Sequence, residues 1–294
     1  MRSAAQARPR TCDAIQESAW DGAWYRRGWF DDGSPLGTST NKECRIDSIA
    51  QSWSVLSGIA PRERAKKALD SLAARLVNPQ QRIVKLLDPP FNGKGPNPGY
   101  ISGYVPGVRE NGGQYTHGAI WAAMAFAASG DARRSWDVVD MINPVNHTRT
   151  PAEVAVYKVE PYVMSADVYS VAPHTGRGGW SWYTGSAGWM YRLLVEATLG
   201  LRLQVVDGQA TLLIDPRIPP HWSGFEVDYV HRTTLFRLQF DRTGLDKAPR
   251  VTLDGQPLGT SRLPLHDDGR QHSVQVALPS MTPVATGEAS ELLL

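Results

Sequence analysis

GVRENGGQYTHGAIW, residues Gly107 to Trp121, is the stretch around which the chain is organised. Arg109 and Glu110 lead into Asn111, Gly112 and Gly113, which favour turns over regular structure. His117 then falls in the first turn of an apolar helical run, Ile120 to Ala128, with Thr116 expected as the N-cap. The first N–H groups of a helix lack intrahelical partners and the macrodipole is positive there, so this position favours an anion. A histidine after a glycine-rich turn is more often a cap or a packing residue than a ligand contact, and this stretch alone proves little.

A second stretch repeats the pattern. In GGWSWYTGSAGWMYR, residues Gly178 to Arg192, a Thr-Gly-Ser step opens a helix with Ala187, Tyr191, Leu194 and Thr198 on one stripe. Thr184 is the expected N-cap, and Gly185 lets a ligand come close to the backbone. Two such helix starts, each flanked by tryptophan, could face one oxyanion from two sides.

Working outward, 294 residues make one large domain or two of ordinary size. Lysine plus arginine is 31 against 29 for aspartate plus glutamate, with no basic block, which argues against a nucleic-acid partner. Ten tryptophans and ten tyrosines against six phenylalanines favour amphipathic rings, suited to sugar faces and also to core filling. Two cysteines, Cys12 and Cys44, make no disulfide framework and fit a reducing, cytoplasmic setting. Met1 to Arg10 lacks the apolar segment of a secretory signal, and the longest apolar run, Ala119 to Ala128, is too short to span a bilayer. A soluble protein, or a soluble part of a larger one, is expected.

Residues 1–18 are expected to be poorly ordered, apart from a short helical stretch from Ala14. Ala19 to Gly37 reads as an irregular hairpin, with Asp31 and Asp32 as solvated turn carboxylates rather than metal ligands. Asn41 to Gly58 is an amphipathic helix carrying Ile46, Ile49, Trp53 and Leu56, followed by a basic-faced helix from Pro61. A long Pro- and Gly-rich connection, residues 78 to 113, precedes the helices at Thr116–Ser129 and Asp131–Ile142. Residues 151 to 170 read as mostly helical with a break at Pro161, and the helix from Thr184 runs to about Gly200. From Leu201 the period shifts to alternation around Asp-Gly turns, predicting an antiparallel β domain over 201–278 and a tail from 279.

Beyond these patterns, GVRENGGQYTH, RIDSIAQSW, INPVNHTRTPAEVAVYKVEPYVMSADVYS, GRGGWSWYTGSAGWMYR and IDPRIPPHWSGFEVDY resemble the C-terminal part of glycoside hydrolase family 94. That family holds inverting glycoside phosphorylases and the C-terminal domain of cyclic β-1,2-glucan synthases, and the wording here is nearest the β-1,2-glucan branch. The resemblance implies a mainly α protein. Residues 19–200 would form part of an (α/α)6 barrel with helix N-termini at its site, followed by a small antiparallel β-sandwich. It implies that His117, Thr184 and Gly185 bind the attacking phosphate and that Arg109 and Glu110 contact the acceptor-side sugar. No metal and no cofactor is implied, since inorganic phosphate is a co-substrate. The expected partners are a β-glucan oligosaccharide and phosphate, in the cytoplasm or on the cytoplasmic part of a membrane-bound glucan synthase.

In the implied chemistry one carboxylic acid protonates the glycosidic oxygen while phosphate attacks the anomeric carbon from the opposite face. The family's acid is an aspartate in a Gly-Asp-Trp-Asn-Asp segment, and these residues contain no such segment. About six helical patterns are legible, half of what a full barrel holds. The expectation is therefore a C-terminal segment with part of the phosphate and sugar sites, no catalytic residue of its own, and a tendency to self-associate or take a companion chain. Two other readings stay open: a non-catalytic glycan-binding module, and an inverting hydrolase using Glu110 and Asp47.

Overall fold

The computed structural model describes residues 4–243 and 249–279, which fall into two compact units, one ending at Thr198 and the other beginning at Leu199. Seven α-helices lie among the described residues of the first: α1 (Ala4–Ser18), α2 (Ser48–Leu56), α3 (Arg62–Leu76), α4 (Thr116–Ala128), α5 (Ala132–Ile142), α6 (Pro151–Tyr157) and α7 (Thr184–Arg192). A π-helical turn, Leu193–Thr198, continues α7.

The expectation of poor order over residues 1–18 does not match α1. Its C-terminal end is tied to the body: Gln16 donates to the Ile59 carbonyl at 3.0 Å and Arg64 donates to the Gln16 carbonyl at 2.7 Å. Ile15 packs on the cluster of Ala19, Tyr25 and Ala68. These contacts offset the entropy of ordering the last turns.

The helices form two layers. α4 packs against α2 and α7, while α3 backs α2 and α5 backs α4. α4 is apolar on every side, and Ala119, Ile120, Ala122, Ala123, Ala125 and Phe126 are all buried in one cluster with Leu69 and Leu72 of α3 and Val138 of α5. An all-round apolar helix belongs in the interior. Outer helices α3 and α5 are joined by an ion pair, Arg134 to Asp70 at 2.7 Å.

Helix α2 differs from its sequence reading. It begins at Ser48, because Ile46 and Asp47 pair as a short strand with Leu87 and Asp88. Its buried residues are Ser48, Gln51, Ser52 and Ser54, whereas Trp53 is 39% exposed. Small hydroxyl side chains permit a close approach: a Cβ at Gly118 of α4 would stand 3.3 Å from Ser48 Oγ. Of the expected apolar stripe, Ile46 is buried and Leu56 packs against the main cluster, and Trp53 is the exposed member.

Residues 151 to 170 also depart from expectation. Helix α6 stops at Tyr157, where Lys158 takes a left-handed conformation, φ 60°, and only a two-residue strand, Asp167–Val168, follows, paired with Gln114–Tyr115. Thr150 and Glu153 form a capping box that fixes the start of α6.

The second unit holds β1 (Leu201–Val206), β2 (Gln209–Ile214), β3 (Gly224–His231), β4 (Thr234–Arg242), β5 (Arg250–Leu253), β6 (Gln256–Pro257), β7 (Arg262–Pro264) and β8 (Gln271–Leu278). The order is β7-β2-β1 in one sheet and β3-β4-β8-β5-β6 in the other. Asp207-Gly208 and Asp254-Gly255 have positive φ at both positions, as two-residue hairpin turns require. Along β4, Phe236, Leu238 and Phe240 are buried and alternate with exposed Arg237 and Gln239. The expected all-antiparallel arrangement fails at one place: β8 pairs with β4 in parallel, Phe240 opposite Val276. The chain reaches that pairing by a long crossover through β5, β6 and β7, the length a parallel connection demands. The expected tail over residues 280–294 lies outside the described residues.

Candidate functional site

Three helices of the first unit begin at a common level. Trp53, Trp121 and Trp189 are each the sixth residue of α2, α4 and α7, and their rings meet edge to face at 5.6 to 6.4 Å between centroids. The N-termini of these helices therefore open toward one place.

The expected caps, Thr116 and Thr184, are instead the first helical residues of α4 and α7, and the N-cap positions belong to Tyr115 and Tyr183. Neither tyrosine caps its helix with a side-chain hydrogen bond, because a phenol points away from the backbone it would have to reach. The two side chains turn to each other, with Oη atoms 3.2 Å apart. Thr116 is buried with its hydroxyl unpartnered, whereas Thr184 is exposed.

His117 lies among these rings. Its imidazole stacks on Tyr115 at 5.4 Å and meets Tyr183 and Trp121 edge-on at 5.6 and 5.9 Å. Burial holds its pKa below the ordinary 6.5, so the ring is neutral near pH 7. Its Nδ1 has no partner. Gly185 presses on the same ring: a Cβ there would stand 2.9 Å from Nε2. Two residues far apart in sequence thus come together, through a helix start that only a glycine leaves open. The stripe with Ala187 and Tyr191 is on the exposed face of α7, and Ser186, Met190 and Leu193 are the buried residues.

Arg109 and Glu110 are placed by a tight loop. Arg109 has a left-handed backbone, φ 49°, and its N–H donates to Asp167 Oδ2 at 2.9 Å. Its side chain reaches Glu110 at 3.8 Å and lies 5.5 Å over the Tyr104 ring. Burial works against the Arg109 charge, but Tyr104, Glu110 and Asp167 together raise its pKa. The Tyr115 phenol is pushed up by burial and by the Tyr183 hydrogen bond, with Glu110 adding to the shift and Arg109 opposing it. The pair is therefore electrostatically linked to the histidine region through Tyr115. A cleft of about 400 Å³ opens beside Tyr104, lined also by Glu43, Phe91 and Asn92.

Asp47 belongs elsewhere. It is the buried N-cap of α2, accepting from Ile49 N–H at 2.7 Å and pairing with Arg27 at 3.3 Å, a structural place rather than that of a second hydrolytic carboxylate. Burial raises its pKa against the pull of Arg27.

Sequence reasoning missed Asp167 and the two tyrosines. Asp167 is 1% exposed, and burial raises its pKa while the Arg109 N–H opposes the rise. A single aspartate within the otherwise uncharged run VMSADVYS was the signal for it. Thr116 Oγ1, His117 Nδ1 and Trp121 Nε1 are buried atoms with no hydrogen-bond partner in the protein, and Arg109 Nε and Glu110 Oε2 make no hydrogen bond either, facing each other only as an ion pair at 3.8 Å. Each such group costs free energy unless something satisfies it, and a polar ligand here would satisfy them. Among the described residues no three of His, Cys, Asp and Glu gather to hold a metal, and no helix is long and apolar enough to cross a membrane.

Comparison with known proteins gives concordant matches. Residues 1–200 match the catalytic domain of the glycosyl hydrolase 94 superfamily. The chain is 48% identical over 242 residues to the cyclic β-(1,2)-glucan synthase NdvB of Rhizobium meliloti (strain 1021), which covers 82% of this chain and 8% of that protein. It is 32% identical over 277 residues to the 3-O-β-D-glucopyranosyl-β-D-glucuronide phosphorylase of Paenibacillus borealis, covering 92% of this chain and 34% of the relative. It is 26% identical over 209 residues to the 1,2-β-oligoglucan phosphorylase of Listeria innocua serovar 6a, covering 65% of this chain and 18% of the relative. The chain thus spans 8 to 34% of the length of these relatives.

Proposed function

This chain belongs to the glycosyl hydrolase 94 superfamily, and from that premise we propose that it supplies the phosphate-holding wall and part of the sugar site of an inverting β-glucan phosphorylase or cyclic β-1,2-glucan synthase. The observation that carries this is the convergence of His117 on Gly185, with a position-185 Cβ only 2.9 Å from the imidazole. Neither α4 nor α7 is capped by a side chain, which leaves first-turn donors of both helices to an oxyanion.

The division of labour follows from the groups present. Phosphate arrives ionised and needs no base, only donors and positive potential to hold it in line with the anomeric carbon. The helix starts and the His117 ring supply these. Arg109 and Glu110, beside the Tyr104 cleft, supply hydrogen-bonding groups for the acceptor-side sugar. Protonation of the leaving oxygen requires a carboxylic acid, and the resemblance assigns it to a Gly-Asp-Trp-Asn-Asp segment that these residues do not contain. In this proposal the chain binds phosphate and glucan and leaves the acid step to residues outside it, either in a longer protein or on a companion chain.

The test combines binding with turnover. Calorimetric titration of the chain with inorganic phosphate should show saturable binding that His117→Ala abolishes. Incubation with β-1,2-glucooligosaccharide and phosphate should give no glucose 1-phosphate. Release of glucose 1-phosphate would overturn the assignment of the acid, and phosphate binding indifferent to His117 would overturn the site.

A further inference from the structure

Tyr115 and Tyr183 come from strands of sequence 68 residues apart and meet through their hydroxyls at 3.2 Å. Two phenols carry two protons, and a hydrogen bond between them uses one. The second has no other acceptor among the described residues. Both tyrosines are partly exposed, which leaves space for a ligand to reach the pair. That space is narrow in its location, because both rings flank the His117 imidazole, one stacked on it and the other edge-on.

We propose that the Tyr115–Tyr183 pair is a ligand-contacting element of the anion site, sharing one proton internally and giving the other to the oxyanion beside His117 and Gly185. This rests on the anion site proposed above and adds a donor to it. The donor is neutral and pre-oriented. Each residue sits at the N-cap of its helix, so the internal bond also sets the separation of the two helix starts. A pre-oriented donor contributes more than a mobile one, since it forms its bond with no further ordering. Burial and the mutual hydrogen bond raise the Tyr115 pKa, keeping the group a phenol and a donor at neutral pH.

The experiment titrates inorganic phosphate into the full chain and its variants Tyr115→Phe, Tyr183→Phe, the double variant and His117→Ala. Heat is measured together with the 15N signals of the His117 ring. The double variant should bind phosphate at least about tenfold more weakly than the parent, the worth of one hydrogen bond to a charged group. One single variant should account for most of that loss, identifying the outer donor, and the other should lose less. Near-UV circular dichroism and thermal midpoints show whether each variant keeps its fold, and the single variants stand should the double variant unfold. If the phenylalanine variants bind within about twofold of the parent while His117→Ala loses binding, the phenol pair is not a ligand contact and the anion site stands. If the parent binds no phosphate, or His117→Ala binds like the parent, the anion site falls and the phenol proposal falls with it.

Discussion

Gly185 lies against the His117 imidazole so closely that a methyl group on it would stand 2.9 Å from Nε2 and 3.2 Å from Cε1. Its backbone φ is not in the left-handed region, so alanine suits the helix there and improves intrinsic propensity by up to ~1 kcal/mol. Stability and binding should therefore separate. Gly185→Ala should unfold at a nearly unchanged temperature, the gain in propensity offset by the shift forced on the packed imidazole. Its phosphate affinity should fall about tenfold or more, as expected for loss of a hydrogen bond to a charged group. A variant that binds phosphate normally would mean that this contact serves packing alone.

The protonation of His117 gives a second expectation. Burial lowers its pKa below 6.5, so as pH falls below that value the unfolded chain takes up the proton first and the ligand-free fold loses stability. A bound anion acts the other way, favouring the imidazolium. Sulfate is the useful probe because it does not titrate between about pH 5 and 8, the window in which histidine does. Sulfate binding should strengthen on acidification below 6.5 and take up protons, seen as buffer-dependent heats, while His117→Gln should flatten the dependence. A parent protein with pH-independent sulfate affinity would show that the anion does not sit beside this ring.

Much of this arrangement was legible beforehand, for physical reasons that can be named. The two helix starts announced themselves because glycine and hydroxyl residues break one pattern just where an apolar run begins another, as at Gly112 to Ile120. The caps were misplaced by one residue because threonine outranks tyrosine as a local cap, and the Tyr115–Tyr183 bond that overrides this joins residues 68 apart. The buried serines of α2 were not legible because they accept a close neighbour, Gly118, that the helix's own sequence does not reveal. The parallel pairing of β4 with β8 was hidden for a similar reason, since alternation marks a strand but carries no sign of its partner's direction.

The loop that carries Arg109 depends on Gly107. Its φ is 86°, and a Cβ would meet Val171 Cγ2 at 2.5 Å and the Val171 backbone nitrogen at 3.0 Å. Its carbonyl also accepts from Ser170 N–H at 3.0 Å. Left-handed strain of about 1–2 kcal/mol and overpacking of about 1–3 kcal/mol should act together in Gly107→Ala. At about 2–4 °C per kcal/mol for a unit of this size, the thermal midpoint should fall by at least ~4 °C. Gly188→Ala is the control: a Cβ there meets nothing within 4 Å, and its φ is ordinary. Calorimetry that found the two variants equally stable would remove the case that this loop requires glycine at position 107.

Trp53 gives the last expectation. It closes the three-tryptophan cluster from α2, yet it is 39% exposed, whereas Trp121 is partly buried. A tryptophan presents ~150–250 Å² in all, so its open part amounts to ~60–100 Å², worth about 1.5–2.5 kcal/mol at ~25 cal/mol per Å² if an association covers it. That alone does not offset the ~4–15 kcal/mol that association costs, so self-association of the chain should be weak, with a sedimentation coefficient that rises only at high concentration. Trp53→Glu, which puts a charge on that face, should weaken the association about tenfold or more. His117 meets Trp121 edge to face at 5.9 Å, so phosphate affinity serves as an internal check on the fold. A parent chain that sediments as a sharp monomer at every concentration would show that this face needs no cover.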